Sequence, residues 1–168
     1  MKFSAKVMLM GDIGVGKSSL AKRLMFGTFD AGYKTTIGVD ILTHQLTLSA
    51  EAGPVAANLL LWDTDGDFGQ HIFKSVYLAG ASGALVVADA SRLSTIDRMF
   101  ELAADFLARL PGRSVRAVVN KTDISVPDLT KFDCRGLAPE HVMISSAKTG
   151  EGVTAAFEAI AMDICRRL

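Results

Sequence analysis

The sequence predicts an α/β domain with helices on both faces of a sheet. Three observations carry that reading: short apolar runs alternate with amphipathic helical patterns, two early strand-like stretches are joined as a hairpin, and the 168 residues contain no repeat, low-complexity tract or linker. The first apolar run, Val7–Met10, has the length of a buried strand, and a helical pattern opens behind it with Leu20 and Leu24. Residues 39–48 and 56–62, joined by Ser49-Ala50-Glu51-Ala52-Gly53-Pro54, read as the hairpin, its second arm ending in the apolar run Leu59–Trp62. Leu85–Ala88 and Ala117–Val119 are two further buried strands. Between them Leu93, Ile96, Phe100, Ala103, Leu107 and Leu110 recur at spacings of three and four, with Asp97, Arg98, Glu101, Asp105 and Arg109 on the opposite face. Pro111-Gly112 ends that helix. Ile124–Glu140 holds Pro127 and Pro139 without a helical period, so a helix there is expected to be short or missing. Val142–Ile144 is a weaker strand, and Val153, Phe157, Ile160 and Ile164 mark the last helix after Thr149-Gly150-Glu151-Gly152. His44 and His141 fall in strand-like stretches and are expected to be structural.

Composition narrows the class. Lysine plus arginine equal aspartate plus glutamate at 18 each, so the net charge is zero and the basic excess of a nucleic-acid-coating protein is lacking. An apolar content of 49% and a mean hydropathy of +0.30 exclude intrinsic disorder. No apolar run approaches the ~18–20 residues that span a bilayer. The four apolar residues ahead of Gly11-Asp12 are too few for a secretory signal core. Cys134 and Cys165 lie far apart and form neither a disulfide framework nor a metal motif. The expectation is one cytoplasmic domain over residues 1–168, with no nucleic-acid partner.

Residues Gly11-Asp12-Ile13-Gly14-Val15-Gly16-Lys17-Ser18 match G-x-x-x-x-G-K-[ST] between a strand and a helix, the context that this phosphate-binding motif requires. Glycines let successive N–H groups converge on phosphate oxygens, and the helix N-terminus adds positive dipole. Lys17 is placed to bridge the outer phosphates and the Ser18 hydroxyl to ligate Mg²⁺. The base is read from Asn120-Lys121-Thr122-Asp123, where a strand ends. A carboxylate at Asp123 accepts two hydrogen bonds from guanine's ring N–H and amino group, a donor pair that adenine lacks. The Lys121 stem is expected along the base, and Asn120 between this loop and the phosphate loop. A backbone N–H of Ser145-Ser146-Ala147-Lys148 is expected on the guanine oxygen. In Trp62-Asp63-Thr64-Asp65-Gly66, Asp63 is placed to hold Mg²⁺ through water and the Gly66 N–H to meet a terminal phosphate.

Taken in order with Ser19 and Thr36-Ile37-Gly38-Val39-Asp40, these stretches resemble the small GTPases of the Ras superfamily, and its Rab branch in particular, from end to end of the chain. The resemblance implies a P-loop NTPase fold, a small G domain with a mostly parallel six-stranded sheet. It implies a GTP/GDP switch with Mg²⁺, hydrolysis of GTP, and the catalytic set Lys17, Thr36, Gly66 and Asp67. It makes Thr36 the switch threonine, which with Ser18 and Asp63 attends the metal. Phe29 becomes the aromatic across the guanine and Tyr33 the tyrosine that closes over the phosphates. Trp62 and Tyr77 match two of three aromatics that greet effectors, with Ile41 in the third place. Effector, exchange factor and activating protein are expected at Thr36–Ile41 and Trp62–Tyr77, on a monomer.

The sequence departs from the family at the hydrolysis positions. Asp67 stands where the water-orienting glutamine belongs, with Gln70 and His71 nearby. An ionised carboxylate accepts from water, cannot donate to the transferring phosphoryl group and adds negative charge beside the phosphates. Ile13 occupies a position where the family has Gly or Ser, in the space an activating arginine needs. A low intrinsic rate is therefore expected, the alternative being a GTP/GDP-binding module with negligible hydrolysis. A metabolite kinase would leave Asn120-Lys121-Thr122-Asp123 unexplained. A calcium loop from Asp63, Asp65 and Asp67 fails at Phe68 and Lys74. Cys165-Arg166-Arg167-Leu168 lacks the aliphatic middle of a prenylation box, so no direct membrane anchor is expected.

Overall fold

The computed structural model describes residues 1–30, 32, 38–64 and 76–168. Six strands, β1 (Lys2–Met10), β2 (Val39–Ala50), β3 (Gly53–Thr64), β4 (Ala81–Asp89), β5 (Ser114–Asn120) and β6 (Val142–Ile144), form one sheet in the order β2-β3-β1-β4-β5-β6. β2 and β3 pair antiparallel, while the β3–β1, β1–β4, β4–β5 and β5–β6 pairs are all parallel. The α-helices among the described residues are α1 (Lys17–Phe26), α2 (Leu93–Arg109) and α3 (Val153–Cys165).

Alternation along β1 shows why both faces are covered. Val7 and Leu9 point into a core with Leu20 and Ala21 of α1 and Phe157 and Ile160 of α3. Met8 and Met10 point the other way, into a core with Ile96, Phe100 and Phe106 of α2. A strand buried on both sides reads as a continuous apolar run, which is how the inner strands appear in the sequence.

The hairpin is tighter than a six-residue connection. Ser49 pairs with Pro54 and Ala50 with Gly53, leaving Glu51 and Ala52 as the turn. Gly53, at φ +110°, takes a conformation that L side chains rarely adopt and lets the strands meet directly. Residues 124–141 carry two 3₁₀ turns, Leu129–Lys131 and Pro139–His141, in place of an α-helix. His141 therefore ends a turn rather than lying in a strand. Among the described residues no helix is long and apolar enough to cross a membrane.

Because β1, β3, β4, β5 and β6 run parallel, their C-terminal ends share one edge of the sheet. Leu9 registers with Asp63 and Leu85, and Asp89 with Asn120. The described loops after β1, β4, β5 and β6 leave the sheet at that edge, on either side of the central strand β1.

Candidate functional site

The loop after β1 is held carbonyl by carbonyl. Buried Lys17 donates from Nζ to Gly11 O at 2.8 Å and Asp12 O at 2.9 Å. Arg92 Nη2 donates to Ile13 O at 2.7 Å, Lys121 Nζ to Gly14 O at 2.8 Å and Asn120 Nδ2 to Val15 O at 3.1 Å. Five consecutive carbonyls are thus satisfied by side chains. In a trans peptide the N–H points opposite to the C=O, so the N–H groups of residues 12–16 face away from those partners. That array is suited to converge on an anion. Gly16 closes the loop at φ +105° as the N-cap of α1, and a Cβ there would lie 2.3 Å from Asn120 Nδ2.

Asn120 is the junction of three segments. Buried at the end of β5, it holds Val15 through its amide nitrogen, while Oδ1 accepts from Ser145 Oγ and from Ala147 N, each at 3.1 Å. Asp123 is exposed and accepts from the buried Ser146 Oγ at 2.7 Å. Ser146 N donates to Glu151 O, so the N–H groups of Ser146 and Ala147 both have partners within the protein. Lys148 follows, exposed. Ser18, Ser19, Phe29 and Asp30 line a small cleft beside α1, with Phe29 partly exposed.

Ser18 Oγ donates to Asp63 Oδ2 across from the end of β3. Asp63 is buried, and its Oδ1 has no hydrogen-bond partner among the described residues. Burial pushes the carboxyl above the usual carboxylate range, the Ser18 bond and the Lys17 charge oppose this, and the Asp40 charge adds to the rise. A cation beside Ser18 and Asp63 would satisfy the orphan oxygen and relieve the buried charge. No group of three His, Cys, Asp or Glu forms a metal cluster among the described residues. Such a cation would draw its other ligands from hydroxyl, phosphate and water oxygens, as Mg²⁺ does. The donor set fits that ion.

Comparison with known proteins agrees with this geometry. The family Ras of Complex, Roc, domain of DAPkinase, matches residues 6–123. Ras-related protein Rab-5B of Plasmodium falciparum is 32% identical over 165 residues, covering 96% of this chain and 78% of that protein. The chain belongs to the Rab-like branch of the Ras superfamily of small GTPases. Other relatives are Ras-related protein Rab-18 of Lymnaea stagnalis, 32% identical over 92% of this chain and 77% of that protein, and RABA5d of Arabidopsis thaliana, 35% identical over 95% and 73%. As a Rab-like protein it is a GTP-binding switch of the GTPase class.

Of the predicted site residues in this small GTPase, Tyr33, Thr36, Gly66 and Asp67 lie outside the described residues, as do Gln70 and His71. The others gather at the one sheet edge. Ile13 projects its side chain 41% exposed. Trp62 and Tyr77 meet edge to face with ring centroids 6.4 Å apart, and Lys6 Nζ lies 3.6 Å from the Trp62 ring centroid. Lys6 also donates to Tyr77 O and Ala79 O, and burial lowers its pKa. Ile41, exposed, registers opposite Trp62 on β2.

Asp89 and Arg92 were not among the predicted residues. Asp89 is buried at the end of β4, where Ser91 donates to it from N and Oγ, Arg92 from Nε at 3.1 Å and Lys121 from Nζ at 2.9 Å. Burial alone would raise its pKa, but the bonds from Ser91, Lys121 and Arg92 outweigh it and hold the carboxyl at about 2. Asp89 thereby fixes the two cations that hold Ile13 O and Gly14 O. The only sequence signal for it is an acid ending an apolar strand.

Proposed function

We propose that this Rab-like GTPase, read as one G domain over residues 1–168, binds GTP and GDP with Mg²⁺ and hydrolyses GTP slowly. The observation that best supports the reading is the set of five side-chain-held carbonyls from Gly11 to Val15, tied through Asn120 to the loop that carries Asp123. Gly11 to Ser19 would take the phosphates, while Phe29, Asn120, Lys121, Asp123 and Ser146 to Lys148 would take the guanine. Ser18, Asp63 and Thr36 would hold Mg²⁺, which when bound supplies charge neutralisation at the β- and γ-phosphate oxygens.

Catalysis by the chain itself is then mostly positioning. Lys17 lies low in the loop with its Nζ directed by two carbonyls, so a phosphate oxygen meets a preorganised cation. The N–H groups of residues 12–16 would donate to the phosphate oxygens and orient the transferring group. Asp67 accepts a hydrogen bond from the attacking water but offers no donor to the phosphoryl oxygens, and Ile13 narrows the approach of an external arginine. Those two residues give the slow rate. Effector, exchange factor and activating protein would meet the surface at Thr36–Ile41 and Trp62–Tyr77, on a monomeric cytoplasmic protein.

Single-turnover hydrolysis of pre-bound GTP tests the proposal. Asp67→Gln is expected to raise the intrinsic rate about tenfold, or ~1.4 kcal/mol in the barrier, over the parent and Asp67→Ala. If both variants fall well below the parent, Asp67 is itself the water-positioning residue. No turnover in any of the three, with GTP retained, identifies a binding module without hydrolysis.

A further inference from the structure

We propose that the opposite end of the sheet carries a second site, an anion pocket built for a phosphate-bearing ligand. A cavity of about 360 Å³ opens there, lined by Arg113, Ser114, His141, Asp163, Arg166 and Arg167 among others. It lies at the start of β5, while Asn120 at the strand's far end belongs to the nucleotide edge. Seven residues of strand separate the two ends by ~20 Å, so the pocket is distinct from the nucleotide site.

The charge around the cavity is unbalanced. Its lining carboxylate, Asp163, is occupied by a bidentate pair from Arg116, with Nε at 2.6 Å and Nη2 at 2.8 Å. Both partners are largely buried, and Arg116 also donates to Glu140 O, which makes this pair a clamp between β5, α3 and the turn before β6. Arg166 reaches Asp163 only at 3.9 Å, with its side chain 72% exposed. Arg167 spends Nη1 on Gly112 O, and Arg113 makes no side-chain hydrogen bond or ion pair among the described residues. Three guanidiniums therefore share the rim of one cavity with a single carboxylate, which Arg116 already holds.

An independent observation points to a ligand. Ser114 lines the same cavity, is buried at 3% exposure, and its hydroxyl has no hydrogen-bond partner among the described residues. A buried hydroxyl is costly to leave unpaired, and a turn of this side chain toward an acceptor in the cavity would satisfy it. Guanidinium forks match the oxygens of phosphate in paired hydrogen bonds, and a multiply charged oxyanion uses several of them at once. The cavity, open to solvent, has the volume of a small-molecule site.

The test uses the full chain loaded with GDP and Mg²⁺, so that the phosphate loop is already filled. Titration calorimetry with inositol trisphosphate is expected to show saturable binding, weakened about tenfold or more by Arg113→Ala with Arg166→Ala and several-fold by Ser114→Ala. GDP dissociation is expected to stay unchanged in these variants, which separates this site from the nucleotide reading. Sedimentation with phosphatidylcholine vesicles, bearing either a phosphoinositide or phosphatidylserine, distinguishes the sources. Phosphoinositide-selective, arginine-dependent binding makes the ligand a lipid headgroup, and binding of the soluble probe alone makes it a free phosphate compound. No saturable binding of the soluble probe, or binding that the variants leave unchanged, overturns the proposal.

Discussion

Asp123 stands exposed while the Ser146 hydroxyl that positions it is buried, so removing the carboxylate is expected to spare the fold and act on the proposed recognition of the base. Asp123→Ala is expected to weaken GTP and GDP by about 3 kcal/mol each, roughly a hundredfold, since two charge-assisted bonds to the base are lost. Competition by ATP against GTP, weak in the parent, should become comparable; ATP competing equally in the parent would defeat the guanine assignment. Asp89 behaves differently because its pKa is depressed on folding, from 3.8 to about 2. A depressed carboxylate contributes stability above its unfolded pKa and loses it as pH falls through the folded value. That gap is worth roughly 2 kcal/mol at neutral pH. Urea midpoints measured from pH 5 down to pH 2 should fall more steeply in the parent than in Asp89→Asn, and identical slopes would show that Asp89 is not ionised in its pairs. That the described motif residues would come together at one edge was legible in the sequence, because each motif has few chemical alternatives at its spacing. Asp89 and Arg92 were not, since an acid at a strand end and an arginine in a loop have many uses. Only register puts Asp89 beside Asn120.

Among the elements, the phosphate loop and α1 depend on a close backbone approach that a sequence motif encodes but does not explain. A methyl on Gly16 would sit 2.3 Å from Asn120 Nδ2, at a φ that L residues rarely adopt. Gly16→Ala should therefore push Asn120 off Val15 and release the junction with Ser145 and Ala147, costing over tenfold in nucleotide affinity. A fluorescent GDP analogue measures this, and retention of parental affinity would show that Asn120 is dispensable to the loop. Apolar runs located the inner strands and helical spacing placed α2 within a residue of its observed end at Arg109. The outer parts were less visible. β1 begins at Lys2, where polar residues alternate in, because Lys2 to Lys6 gain pairing with β3 from Ala56 to Leu60. Apolarity reports burial, whereas ladder hydrogen bonds extend a strand past the buried stretch. The Arg116–Asp163 clamp joins residues 47 apart and has no local signature.

At the scale of the molecule, three loops far apart in the chain share hydrogen bonds at one sheet edge, with Asn120 and Val15 separated by 105 positions. A ligand seated among them should stabilise them as a unit rather than one at a time. At a thousandfold excess over its dissociation constant a ligand adds about 4 kcal/mol, and in a domain of this size each kcal/mol moves Tm by ~2–4 °C. Stripping nucleotide with a chelator and phosphatase should therefore lower Tm by about 10 °C in scanning calorimetry. Hydrogen exchange should rise together at residues 11–16, 120–123 and 145–148, because Asn120 and Lys121 cannot loosen without releasing Val15 and Gly14. The opposite end of β5, fixed by Arg116 on Asp163, should keep its protection. Exchange that rises in the phosphate loop alone would show that the Asn120 junction persists without nucleotide, and that the base loop is built independently of the phosphates it faces.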